Sequence, residues 1–211
     1  MVSIDAQFDP KQLEKLLNSL KKAPKECRKG AVSAINRSVK TTNTALQKAI
    51  TTRYNIKKSA LSGGSAFKGD ASNNLIKPKM ATESNLSAQI MVRGTRLALV
   101  SARGMISPKE PKSHKGKTMR QIKRMAPPTV RILKGSKKKY PHAFVATGRG
   151  GVTGIFSRYK YLRDIKLQRT LSPANMAREK SVAKTTKKAA EEALEKNVTR
   201  EIRYRLEKIS K

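Results

Sequence analysis

Charge limits this chain before anything else does. Lys and Arg number 48 against 14 Asp and Glu, a formal +34 over 211 residues. Self-repulsion on that scale opposes a compact state unless a polyanion or an acidic surface lies nearby. Hydrophobic residues make up 37%, below the roughly 45–50% of an average globular chain, so any core has to be modest. The charge is also unevenly placed. Between 28 and 163 stand 30 Lys and Arg and three acids (Asp70, Glu83, Glu110), a net +27. Residues 176–211 hold 11 basic and six acidic side chains, the balance of a solvated helix. The electrostatic function therefore belongs to the middle of the chain.

The length suits one domain spanning 1–211. No stretch reaches the ~18 apolar residues of a membrane span, and the opening residues do not read as a signal peptide. Cys27 is the single cysteine, so an internal disulfide is excluded and a reducing cytoplasm is the expected site of synthesis.

Helices are expected over 1–61. Asp9 and Pro10 supply an N-cap and a first-turn proline, and Leu13, Leu16, Leu17 and Leu20 follow at helical spacing. Pro24 starts a longer helix with Val32, Ile35, Val39, Leu46 and Ile50 on one face and Arg28, Arg37, Lys40, Lys48 and Arg53 on the other. An antiparallel sheet is expected over 74–158, from β-rich runs at 75–80, 86–93, 97–102, 129–133, 143–147 and 152–156. Gly94 with Thr95, and Gly135 with Ser136, read as hairpin turns between successive runs. A last helix over 172–209 carries Ala183, Ala190, Leu194, Val198, Ile202, Leu206 and Ile209 as a narrow apolar seam. Helices, then strands, then a helix make an α+β fold.

One stretch stands apart. Residues 103–128 hold eight Lys and Arg, one acid and four prolines, a basic insertion too long for an ordinary connection. Lys112, Lys115, Lys117, Arg120, Lys123 and Arg124 within it, with Lys137, Lys138 and Lys139 placed at a hairpin tip, are the candidate contacts to nucleic acid or an acidic partner. Leu194, Val198, Ile202 and Leu206 are the candidate subunit interface.

Catalysis needs groups of tuned pKa held together, and the inventory is short of them. The two histidines, His114 and His142, are scattered, and three carboxylates serve the whole central region. Gly116-Lys117-Thr118 imitates the end of a phosphate-binding loop, but Pro111 stands where that motif needs glycine. Gly148-Arg149-Gly150 opens like a dinucleotide fingerprint, but Thr153 fills its last glycine position. No enzyme, cofactor or metal site is expected. With five Tyr, four Phe and no Trp, base stacking has few platforms, which leaves sequence-nonspecific phosphate contact. Composition alone would also suit a nonspecific nucleic-acid-binding protein of ribosomal or chromatin type.

Three stretches together resemble the minor tail protein Z family of long-tailed phages. The first runs from Ala34-Ile35-Asn36-Arg37-Ser38 to Arg53-Tyr54-Asn55-Ile56, a helix closed by that family's R-Y-N-I/V turn. The second pairs Thr129-Val130-Arg131-Ile132 with Ala143-Phe144-Val145-Ala146, then Gly154-Ile155-Phe156-Ser157-Arg158. The third is Leu162 to Pro173 and the helix beyond it. The resemblance implies a structural virion protein that completes the head-proximal end of the tail, made in the host cytoplasm. It also implies a homo-oligomeric ring, expected to be a hexamer, meeting tail-terminator or head–tail connector proteins and genomic DNA without sequence preference.

Overall fold

The computed structural model describes residues 2–4, 24–62, 75–100, 121, 128–140, 143–147, 153–158 and 165–209. Helices and small antiparallel sheets coexist, so the fold is α+β. The chain divides into two compact, interleaved units: Met1–Ala49, Ile76–Arg93 and Ala177–Lys211 in the first, Ile50–Leu75 and Gly94–Met176 in the second. Among the described residues no helix is long and apolar enough to cross a membrane.

In the first unit, strand β1 (Val2–Ile4) pairs antiparallel with β3 (Gln89–Val92), whose other edge carries β2 (Ile76–Lys79). The β3 burial alternates, with Ile90 and Val92 inside, the period-two pattern of a half-buried strand. Helix α1 (Pro24–Arg53) opens on its proline, where a missing N–H leaves no extra unpaired donor. It buries Ala31, Ala34, Ile35, Val39 and Leu46 and leaves Arg28, Arg37, Lys40 and Lys48 exposed, as the periodicity predicts. Asn36 fixes the approach to β2: its amide donates to the Ala81 carbonyl at 3.0 Å and accepts from the Ala81 N–H at 2.7 Å. One side chain thus satisfies both polar groups of a buried backbone residue.

The second unit begins inside α1, at Ile50. Tyr54 and Ile56, just past the helix end, are buried, and α2 (Lys58–Ser62) follows with Leu61 fully inside. Strands β4 (Thr129–Val130) and β5 (Lys138–Lys139) form a hairpin. Strands β6 (Ala143–Thr147), β7 (Thr153–Arg158) and β8 (Ile165–Leu167) form a three-stranded antiparallel sheet.

Two of the expected hairpins have different partners. Gly94 lies at a boundary between units, and the run after it does not fold back on β3. Residues 97–100 instead pair with 168–171: Leu99 N–H donates to the Gln168 carbonyl at 2.9 Å and Thr170 N–H to that of Leu97 at 2.7 Å. The physical reason is in the pattern. Leu97, Ala98, Leu99 and Val100 are all buried, without alternation, so this run needs cover on both faces. The second correction concerns β4, whose partner is Lys138–Lys139 and not Ala143–Thr147.

The C-terminal helix is also two helices. Helix α3 (Pro173–Arg178) is capped by Ser172, whose hydroxyl accepts from Asn175 N–H at 3.2 Å. The chain bends at Glu179, and α4 (Lys180–Ile209) begins with the Glu179 carboxylate accepting from Val182 N–H at 3.3 Å and from the Ser181 hydroxyl.

Candidate functional site

The β4–β5 hairpin gathers the densest positive charge among the described residues. Arg131, Lys134, Lys137, Lys138 and Lys139 are all exposed within nine consecutive positions. The turn itself is Leu133–Ser136. Ser136 N–H donates to the Leu133 carbonyl at 3.2 Å, and Gly135 takes φ +85°, a left-handed conformation that favours glycine. Lys138 and Lys139 therefore stand on the returning strand rather than at the tip, which is a correction to the expected placement. The outer loop is anchored to the end of α1. Asn55 N–H donates to the Ile132 carbonyl at 2.8 Å, Lys134 N–H to that of Arg53 at 3.0 Å, and Tyr54 bridges Leu133. Backbone pairing thus holds a basic loop whose side chains are free to face solvent.

Beside the hairpin lies a cleft of about 450 Å³. Its cations are Arg96, Lys138 and Arg169, and its apolar lining includes Leu133 and Leu171. The Arg169 guanidinium reaches the Arg96 carbonyl at 3.5 Å. The Lys138 ammonium lies 5.6 Å from the centre of the Tyr140 ring, within cation–π range. Burial pushes the Tyr140 hydroxyl above the ordinary phenol value, so it stays a proton donor at neutral pH. No acidic residue is among the described residues that line this cleft.

The first unit carries a different arrangement. Helices α1 and α4 meet through a ladder of polar side chains. Ser33 donates to the Glu201 carboxylate at 3.0 Å, and Arg37 reaches the same oxygen at 2.7 Å. Asn197 donates to the Ser38 hydroxyl at 3.0 Å, which itself lies within donating distance of the Ala34 and Ala193 carbonyls. Glu201 is 4% exposed, a buried carboxylate held by charge-assisted hydrogen bonds. The seam expected on this helix is rotated. Val182, Thr186, Ala190, Ala193, Leu194 and Glu201 are buried, while Ala183 is exposed. Of the candidate interface residues, Leu194 is in the core, Val198 and Ile202 are half-buried, and the Leu206 side chain lies outside the described set.

Outside the described residues too are Lys112, Lys115, Lys117, Arg120, Lys123 and Arg124, with most of the basic insertion, both histidines and the leucines of 13–20. Composition could not have singled out Arg96 and Arg169. They are 73 positions apart, and only the pairing of 97–100 with 168–171 brings them together. The ladder left a fainter trace, since Ser38 follows Ala34 and Ile35, and Asn197 follows Ala193 and Leu194, on otherwise apolar faces.

The family model of prophage minor tail protein Z (GPZ) matches residues 11–211. The chain belongs to the minor tail protein Z family. No curated protein and no solved structure gives a significant match. As a minor tail protein Z, the chain is a structural component of a phage tail and hence of the virion. The ribosomal or chromatin alternative gives way to that assignment. The family is one of structural tail proteins and is not known as an enzyme. Among the described residues no three of His, Cys, Asp and Glu come together as metal ligands could. The R-Y-N-I turn of this minor tail protein Z has a visible job. It ends α1 and pairs its backbone with the basic hairpin at Ile132 to Lys134.

Proposed function

We propose that this tail protein completes the head-proximal end of the tail and takes part in head–tail joining around the DNA channel. The match over 11–211 is the observation that carries the reading. The charge supports it, because a formal +34 suits a subunit that works against a polyanion or an acidic ring. In this reading the subunits form a closed homo-oligomeric ring, a hexamer, since heterologous contacts that close give a finite assembly. Val198 and Ile202 on α4 are the partly exposed apolar residues offered to a neighbouring subunit. The basic hairpin at 131–139 and the cations of 103–128 meet DNA phosphates or the acidic rim of a tail-terminator or connector protein.

Gold-labelled antibody on purified particles tests the position. Label at the junction of tail and head is the expected result, with the protein retained through a high-salt gradient. Label along the tube or at the distal tip would overturn the neck assignment while leaving the family intact.

A further inference from the structure

We infer that the cleft between the β4–β5 hairpin and residues 168–171 docks an acidic protein segment with an apolar side chain at its centre. The cleft belongs wholly to the second unit. Three cations converge on it, Arg96, Lys138 and Arg169, and none makes an ion pair with any described residue. Like charges lining one cleft repel one another, so an anionic occupant relieves a cost the free protein carries.

The apolar lining decides which anion. Leu133 is 36% exposed and Leu171 41%, two of the four large apolar side chains left exposed among the described residues, and both line the cleft. A DNA backbone offers phosphates and sugars but nothing that gains from burying two leucines. A polypeptide carrying carboxylates around a Leu or Phe offers both, and an apolar anchor ringed by polar contacts is the usual anatomy of such an interface. Tyr140 adds an aromatic wall and a protonated hydroxyl able to donate to a carboxylate. The inference concerns the chemistry of the occupant and does not depend on where in the tail the protein sits.

The test uses the full chain and a fluorescein-labelled peptide of Glu and Asp around one central Phe, at about 150 mM salt, where exposed charges are screened beyond about 8 Å. Arg96→Ala with Arg169→Ala should weaken binding about tenfold or more. Leu171→Ser should weaken it several-fold, and replacing the peptide's Phe by Ser should do the same to the wild type while adding little to the Leu171 variant. Lys184→Ala with Lys196→Ala, which removes the same charge from the exposed face of α4, should change affinity less than about twofold. Should the arginine pair disturb the pairing of 97–100, Lys138→Ala on the hairpin gives an independent removal of charge. An α4 control that loses as much as the cleft variants would overturn the site. So would indifference to the Phe, or cleft variants that weaken a short DNA duplex more than the peptide.

Discussion

Gly154, the second residue of β7, has no room for a side chain. A Cβ built there would lie 2.9 Å from Leu167 Cδ1, 3.1 Å from the Leu99 carbonyl oxygen and 3.1 Å from Val100 Cγ1. The leucine methyl could move, but the Leu99 carbonyl is held by the Ile155 N–H at 3.0 Å. Gly154→Ala should therefore destabilise the protein by about 1–3 kcal/mol, the usual cost of overpacking a filled site. Gly135 is a contrasting case: nothing lies within 4 Å of its built Cβ, and only φ +85° argues for glycine. Gly135→Asn should cost less than Gly135→Ala, because Asn tolerates the left-handed region. Urea unfolding of the three variants checks the order, and a Gly154→Ala midpoint equal to wild type would show that the 97–100 contact yields easily.

Among the elements, α1 and α4 are joined by buried and part-buried polar contacts. A buried carboxylate at Glu201 faces Ser33 and Arg37, and Asn197 faces Ser38. Removing the carboxylate leaves the Ser33 hydroxyl and the Arg37 guanidinium without that acceptor. Glu201→Ala should cost about 1–3 kcal/mol, the range for an orphaned buried hydrogen-bond partner. Arg37→Ala should cost less, since its side chain is 48% exposed and water screens and replaces part of the pair. Glu201→Gln should fall between wild type and Glu201→Ala, because it keeps an acceptor oxygen and loses the charge. Thermal unfolding by circular dichroism ranks the three. An Arg37 variant less stable than the Glu201→Ala variant would show that the arginine stem, not the carboxylate, holds the helices. The lysines of α4 follow the ordinary rule: Lys187 with Glu191 and Lys188 with Glu192 are exposed i,i+4 pairs at 3.9 and 3.8 Å, worth a few tenths of a kcal/mol each.

For the whole molecule, the net +27 between 28 and 163 governs behaviour toward polyanions. The isolated protein should bind duplex DNA without sequence preference. With about 6–10 phosphates engaged, its affinity should fall roughly 10³–10⁵-fold between about 50 and 200 mM salt. Fluorescence anisotropy over a salt series measures the slope. Replacing 103–128 with a short Gly/Ser connection removes eight basic residues and one acid, a net loss of seven positive charges. The slope should drop if those cations touch phosphate. A flat salt response in the wild type would assign the charge to an acidic protein neighbour.

The basic face of α1, its buried stripe and the glycine turn at 135 could be read from the chain alone, because each is dictated by local spacing or local φ. The α+β class followed from the order of those patterns, and the family resemblance from residues close together in sequence. Partner choice was another matter. Residues 97–100 read as a strand, yet their unbroken burial and their pairing with 168–171 depend on contacts 70 positions away. The same pairing creates the cleft, since Arg96 directly precedes the paired run, Arg169 stands opposite Ala98 within it, and Lys138 arrives from a hairpin. The rotated seam of α4 has a related cause. Hydropathy ranks Ala183 as a core residue and Glu201 as a surface one, but Glu201 is buried because Ser33 and Arg37 on α1 satisfy it. A polar side chain's place is set by the partner it finds, and sequence periodicity carries no record of that partner.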